Sequence, residues 1–517
     1  MSEEWRPRVN PWLIAAAVML ATFMEVLDTS IASVALPYIG GNLGATPYEA
    51  TWVLTRYLVS NAIVLPASGW LSRFFGRKRL LLVCIGIFSF SSFLCGAATN
   101  LPMLIVARVI QGAGGGALQP LAQSIMLESF PPAKRGTAMA VYGVGVVCAP
   151  ILGPSLGGWL TDTWSWRWAF YINIPVSILA VFMISVFVDD PPWIRNDKPG
   201  RIDAVGIGFM SLGLGALQIV LDKGQEVDWF GTLWLRWLAG ICVGSLLFFI
   251  IWELRVKDPI VNLRVLKNRN FGVACGLFFL FGAAIYGLIT LQPLFLQTLL
   301  GYSALEAGLT VTPRGMGAFV ALFIVGALIG KLGGRSLAAF GFTVFAISAY
   351  MFSRLSLDMS RTSIIWPNIV SGFGTGFIFV PLTTVGLGTL RNEQIGNAAG
   401  IQNLVRNIGG SVGISFVSTM LERTAQSHQV FLTERVSALS PLYRQKIHAL
   451  QGLFQTQFSP ADARPRAEAM VYNVVHQQAS YWAFIELFYS FMWIGLVCAV
   501  AVWALQNVKK SGPIAAH

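Results

Sequence analysis

Two carboxylates stand three positions apart inside one apolar run: Glu25 and Asp28 in TFMEVLDTSIASVAL, residues 22–36. Residues at i and i+3 share one face of a helix, so both acids point the same way. A carboxylate at the middle of a bilayer is costly, and such groups face a cavity or a partner. Two like charges in a low-dielectric cleft cannot both ionise cheaply. The pair is therefore expected to hold a proton near neutral pH and to exchange it as its surroundings change. Two arginines lie at matching depth. At about 1.5 Å per residue, Asp28, Arg56 and Arg108 each fall roughly 9–12 Å from the same surface. Arginine stays charged, so it can hold an acid ionised in one conformation and release it in another. The expectation is one charged layer of Glu25, Asp28, Arg56 and Arg108, paired Asp28–Arg108 and Glu25–Arg56. The plainer alternative is a permanent ion pair that only orients helices.

These groups need an apolar scaffold, and the composition supplies one. Of 517 residues, 55% are hydrophobic and 12% charged, against about 25% charged in an ordinary soluble domain. Apolar runs long enough to cross a bilayer recur from end to end. Fourteen are expected, at 12–36, 50–70, 79–98, 101–122, 137–160, 168–188, 203–221, 233–253, 271–298, 304–330, 336–354, 363–390, 398–420 and 481–505. The first is too long for the core of a cleavable signal. The fold class is thus all-α and polytopic. Six cysteines without CxxC spacing read as small packing residues, and the four histidines lie in polar segments, so no metal site is expected.

Basic residues alternate by loop. One side carries Arg6, Arg8, Arg73, Arg77, Lys78, Arg79, Lys134, Arg135, Arg195, Lys198, Arg201, Arg255, Lys257, Arg264, Lys267, Arg269, Lys331, Arg335, Arg391, Lys509 and Lys510. Basic loops stay cytoplasmic, so both termini are expected inside. The net charge of +12 is loop charge of this kind, and no nucleic-acid partner is expected. Residues 421–480 are polar with spaced apolar positions, which fits one or two short amphipathic helices at the outer surface.

Two stretches repeat. GWLSRFFGRKR (69–79) and GALIGKLGGR (326–335) both begin with glycine, end in basic residues, and follow the second span of a six-span unit. A duplicated six-helix unit results, with spans 203–221 and 233–253 inserted between the copies. The expected units are residues 1–190, a first six-helix bundle; 191–269, the inserted spans and linkers; 270–505, a second bundle including 421–480; and 506–517, a tail.

The halves differ in deep charge. The second holds Arg314 and Arg406 and no deep acid, which favours anionic or neutral lipophilic molecules. An amide in lipid needs a partner, making Gln111, Gln119, Gln292, Gln297 and Asn403 candidate substrate contacts alongside Arg314. Phe23, Met24, Tyr57, Tyr142, Phe279, Tyr286, Phe373 and Phe377 are aromatic or soft lining candidates. In the fifth span, Gly143, Gly145, Gly153, Gly157 and Gly158 give a smooth packing face, and Pro150 and Pro154 permit a kink.

Several of these stretches resemble the major facilitator superfamily. GWLSRFFGRKR resembles its loop motif, with Gly69, Arg73, Gly76, Arg77 and Lys78 as the cytoplasmic gate positions. Arg73 stands where that motif has an aspartate. LIVARVIQGAGGGAL (104–118) resembles the fourth-span motif, and GVGVVCAPILGPSLGGWL (143–160) the fifth-span motif of drug:proton antiporters. LDTSIASVALP (27–37) resembles the first-span motif of the fourteen-span branch, and 201–230 is similar to the inserted region of EmrB-type multidrug pumps. Glu25 stands where those pumps carry an uncharged residue. The resemblance implies two six-helix bundles plus two inserted spans, and proton coupling at Asp28 and Arg108 with no cofactor beyond the proton gradient. It implies a leak-tight antiporter seam at Gly143, Pro150, Gly153, Pro154, Gly157 and Gly158. It also implies export of small lipophilic drugs or weak acids from a bacterial inner membrane, with a periplasmic adaptor and an outer-membrane channel as partners. Residues 421–480 or spans 203–253 would be the docking faces. A dedicated exporter of one metabolite, such as a fatty acid or siderophore, is the alternative. A membrane enzyme would need clustered His/Asp or a nucleophile beside a base, and neither occurs; a channel does not need the glycine seam and buried charges.

Overall fold

The computed structural model describes residues 7, 9–45, 47–131, 134–191, 203–225, 227–436, 441–456 and 458–506. Arg6, Arg8, Arg195, Lys198, Arg201, Lys509 and Lys510, on which part of the orientation reading rests, lie outside them.

Every long element is a helix, and no strand occurs among the described residues. The first bundle comprises α1 (Pro11–Leu43), α2 (Pro47–Phe75), α3 (Arg77–Gly96), α4 (Leu101–Gly115), α5 (Leu118–Ser129), α6 (Arg135–Thr163), α7 (Trp168–Tyr171) and α8 (Asn173–Phe187). Two helices follow outside it, α9 (Ala204–Lys223) and α10 (Leu233–Arg255). The second bundle holds α11 (Arg269–Thr298), α12 (Ala304–Val311), α13 (Pro313–Leu332), α14 (Gly334–Ser353), α15 (Arg361–Gly388), α16 (Asn392–Arg435) and α18 (Pro460–Ala501), with α17 (Pro441–Phe454) packed on α18. Local chemistry sets the starts. Asn10, Asn100, Asp203, Asn268 and Ser459 each accept a backbone N–H of the first turn, and Ser303 forms a capping box with Glu306. Such caps satisfy amides that the helix itself leaves unpaired.

Twelve helical segments among the described residues are long and apolar enough to cross a membrane. A thirteenth, α6, is bent by 40° between Arg135–Pro150 and Leu152–Thr163. Helix α2 is not in that set. Fourth, sixth and tenth expected spans are each built from two consecutive helices, α4/α5, α7/α8 and α12/α13.

The tight loop of the repeat recurs in both bundles. Gly76 before α3 has φ 82, ψ 152, and Gly333 before α14 has φ 78, ψ 151. A side chain at this φ is strained, so glycine is required twice at corresponding positions.

The expected outer segment 421–480 takes a different form. Helix α16 continues from 420 to Arg435 and α18 begins at Pro460, so the two rods project roughly 20–30 Å beyond the expected span ends. Only α17 is a separate short helix. Apolarity falls off there, but Glu, Arg, Gln and Ala sustain helix without it.

Within the first bundle α1 packs on α5, α6 and α8, and α4 on α2 and α3. In the second, α15 packs on α13 and α14, and α16 on α11 and α18. Two seams join the bundles: α6 against α13, and α2 with α5 against α16. The first inserted helix, α9, touches both α2 and α16.

Candidate functional site

Asp28 and Arg108 are both fully buried at 0% exposure, with Arg108 Nη1 donating to Asp28 Oδ2 at 2.6 Å. The other carboxylate oxygen accepts from Gln111 Nε2 at 3.0 Å and from Asn173 Nδ2 at 2.7 Å. Arg108 also donates to Gln111 Oε1 at 2.7 Å and to the Val53 carbonyl at 3.0 Å. Ser92 Oγ accepts from Gln111 and Asn173 and donates to the Phe170 carbonyl. Five elements, α1, α2, α3, α4 and α8, thus converge on one ion pair. A buried pair of this kind is tolerable only when its remaining hydrogen-bonding capacity is filled. The glycines of α4 make the convergence possible: a Cβ at Gly112 would lie 2.4 Å from the Tyr57 carbonyl of α2.

Glu25 lies one turn away in a separate polar cluster. Its Oε1 accepts from Tyr57 Oη at 3.1 Å and Asn61 Nδ2 at 3.2 Å, and its Oε2 from Gln119 Nε2 at 2.7 Å. Gln119 Oε1 in turn accepts from Arg406 Nη2 of α16 at 2.7 Å. Tyr57 joins the two clusters, because its ring also lies 4.3 Å from the Arg108 guanidinium.

Arg56 is not part of this layer. It lies by Trp52 of its own helix and lines a cavity of about 210 Å³ with Thr55, Ile219, Asp222, Lys223 and Trp234 at the contact with α9 and α10. The expected Glu25–Arg56 pair is replaced by a Glu25–Gln119–Arg406 chain. The cause is helical rotation: neighbours are turned by about 100°, so when Tyr57 faces Glu25, Arg56 faces away.

The substrate-contact candidates disperse. Gln111 and Gln119 serve the two acids. Asn403 donates to Gln123 Oε1 at 2.7 Å, also across the bundle seam. Gln297 is exposed near the end of α11, and Tyr286 is exposed and packs on Gly410. Phe373 meets Phe340 edge to face and lies tilted against Phe377. Arg314 is 4% exposed and donates to Gln292 Oε1 at 2.7 Å. Among the described residues its Nε and Nη1 have no hydrogen-bond partner, nor does Gln292 Nε2.

The fifth-span seam is a two-sided contact. Gly145, Gly153 and Gly157 of α6 abut Met19, Ser30 and Ile31 of α1, while Gly143 faces Leu322 and Val380. Gly158 has nothing near. Pro154 has no N–H, which frees the Pro150 carbonyl four residues earlier, and Ser30 Oγ donates to that carbonyl at 3.0 Å. Pro154 also approaches Gly308 of α12.

At the loop end the bundles touch. A Cβ at Gly69 would lie 2.6 Å from Asn397 Cα, Gly400 meets the Leu65 carbonyl, and Gly136 meets Ile329. Arg77 and Glu128 form a buried ion pair. Asp190 accepts from the Lys78 amide at 2.9 Å beside Gly76, and Lys78 Nζ donates to the Ser185 carbonyl. Acids around this motif thus come from α5 and the end of α8, while Arg73 occupies the position of the motif's own aspartate.

Sequence reasoning passed over Asn61, Ser92, Gln123 and Asn173, and placed Arg406 with the deep charge of the second bundle rather than beside Glu25. The rule that an amide in lipid needs a partner would have found the three amides had it been applied to every span.

The family described as Major Facilitator Superfamily matches residues 18–414. The multidrug export protein EmrB of Escherichia coli K12 is 37% identical over 495 residues, covering 95% of this chain and 94% of the relative. The fatty acid resistance protein FarB of Neisseria gonorrhoeae is 36% identical over 501 residues, covering 96% and 97%. The colistin resistance protein EmrB of Acinetobacter baumannii is 28% identical over 510 residues, covering 98% and 99%. In fold, the chain is similar to the crystal structure of the human organic anion transporter MFSD10, with TM-score 0.62 at 12% identity, covering 96% of this chain and all of that one.

Proposed function

The chain belongs to the major facilitator superfamily, and from that premise we propose that it is a proton-coupled exporter of lipophilic drugs and weak acids working by alternating access. It is a multi-pass membrane transporter and not an enzyme. The multidrug export relatives support drug efflux. What carries the coupling is the fully buried Asp28–Arg108 pair. Its carboxylate meets three polar side chains from two other helices, Arg108 and Gln111 of α4 and Asn173 of α8, all within the first bundle. A proton on Asp28 weakens its hold on Arg108, and its loss restores it. Glu25 is the second exchanging acid.

Fourteen spans are counted in this reading, α2 and the bent α6 included, with both termini cytoplasmic and the chain in a bacterial inner membrane. The bundles are residues 1–190 and 270–505, with 191–269 inserted. Arg314 and Gln292 are the substrate contacts of the second bundle in this reading, and the α6 seam limits proton leak. The projecting ends of α16 and α18 with α17 are the face for a periplasmic adaptor and, through it, an outer-membrane channel. The alternative of a dedicated fatty acid exporter draws support from the fatty acid resistance relative and from the Arg314 cation, which has no acid beside it.

The test is uptake into inverted vesicles under an imposed pH gradient. Accumulation of a lipophilic dye or acid that collapses with the gradient is the expected result. Accumulation that ignores the gradient contradicts proton coupling.

A further inference from the structure

We infer that Gln119 transmits the protonation of Glu25 from the first bundle to the second: its amide holds Arg406 only while Glu25 Oε2 carries no proton. This rests on the proton-antiport reading and adds a second acid with its own mechanical output.

Hydrogen-bond polarity carries the argument. Arginine donates and never accepts, so the amide oxygen of Gln119 must face Arg406, at 2.7 Å. Its NH2 group is thereby turned to Glu25 Oε2, also at 2.7 Å. The remaining contacts of Glu25, Tyr57 Oη and Asn61 Nδ2, are drawn as donors too. An ionised carboxylate accepts all three. A protonated one carries an O–H that needs an acceptor. Tyr57 could accept it only by turning its own hydrogen away, and the nearest group there, Asn61 Nδ2 at 3.5 Å, is itself a donor. Either amide can accept it by rotating half a turn, Asn61 for a proton on Oε1 and Gln119 for one on Oε2, and the shorter bond, 2.7 against 3.2 Å, is that of Gln119. The rotation of Gln119 presents NH2 to the Arg406 guanidinium, donor against donor. Among the described residues Arg406 Nε has no hydrogen-bond partner, and the Phe379 ring lies 5.7 Å from the guanidinium carbon. A proton on Glu25 Oε2 and the Arg406 bond therefore exclude one another.

The other charged or titratable groups facing Glu25 are Tyr57 from α2, Arg108 across the Tyr57 ring, Tyr142 from α6, Arg406 from α16, and Asp28 on its own helix. Of these, only Arg406 belongs to the second bundle. It sits on the helix whose first turns meet Gly69 and Leu65 at the loop end. Protonation thus loosens α16 from the first bundle and favours opening at that end. The proton enters from water as Glu25 goes from negative to neutral, and returns to water when the bond re-forms. One turn away, Asn403 donates to Gln123 Oε1 at 2.7 Å. This bond links the same two helices without a titratable group and serves as a control.

The experiment measures distance between spin labels placed through Phe74→Cys and Arg391→Cys, on exposed positions at the loop ends of α2 and α16. It uses the full chain in nanodiscs, with the native cysteines replaced. Between pH 8 and pH 5 the separated population of the wild type should rise about tenfold or more, the worth of one charge-assisted hydrogen bond. Glu25→Gln has no proton to exchange at this position and should lose the pH response of the labels. Gln119→Leu should lose the part of the pH response that Glu25→Gln loses, and Gln123→Leu should keep it. A wild-type response in Gln119→Leu, or equal loss in Gln123→Leu, overturns the inference. The measurement is at equilibrium and needs no transport, so it separates from proton antiport. If wild-type vesicles ignore a pH gradient, the antiport reading fails; if they respond and Gln119→Leu opens normally with pH, only this inference fails.

Discussion

Replacing Arg314 by leucine should preserve or raise stability while damaging transport of acids. Its guanidinium is 4% exposed and, among the described residues, makes one hydrogen bond, to Gln292, and leaves Nε and Nη1 without partners. No ion pair to it occurs among the described residues. A buried cation in that state is a net cost to the fold, and apolar replacement of buried ionic groups is often neutral or stabilising by about 1–4 kcal/mol. From that gain the loss of one hydrogen bond to Gln292, about 1 kcal/mol, is subtracted. Arg314→Leu should therefore leave the melting temperature in detergent unchanged or a few degrees higher. A carboxylate bound through the two free N–H groups would lose at least one charge-assisted bond, about 1.5–3 kcal/mol. That corresponds to roughly 10- to 100-fold weaker competition by lipophilic acids in vesicle uptake. Lipophilic cations, repelled by the same charge, should be transported as well or better. Equal loss for acids and cations refutes the reasoning about substrate charge, and a fall in melting temperature of many degrees shows that Arg314 is structural.

Three further perturbations follow from the packing. Gly69→Val places a side chain into Asn397 and should prevent the loop ends from meeting, so cysteines there become more reactive to soluble maleimide and uptake falls at least about tenfold. Arg77→Ala strands the buried Glu128 carboxylate and should cost about 3–5 kcal/mol, whereas the double change Arg77→Leu with Glu128→Leu should recover most of it in thermal unfolding. Asn173→Leu removes one of two amide bonds to Asp28 Oδ1; it should slow gradient-driven uptake about tenfold or more, with a fold intact by circular dichroism.

Much of the first bundle's chemistry was legible because it depends on periodicity. Glu25 and Asp28 share a face by spacing alone, and Arg108 with Gln111 lies on one face of α4 for the same reason. Azimuth between helices was not legible: Arg56 has the right depth, yet Tyr57 takes the inward direction and Arg406 arrives from the other bundle. Buried polar singletons such as Asn173 and Ser92 sit in apolar runs where hydropathy averages them away. The long rods of α16 and α18 were missed because hydropathy reports where lipid ends, not where helix ends. The repeat, by contrast, was visible as two glycine-led basic loops, and the paired backbone angles of Gly76 and Gly333 give it a steric cause.

The account stands most directly on Asp28. In inverted vesicles holding Asp28→Asn, with insertion verified, an imposed pH gradient should drive no accumulation, while exchange of labelled for unlabelled substrate at equal pH continues. Accumulation at the wild-type level by that variant would contradict the assignment of proton exchange to this carboxylate.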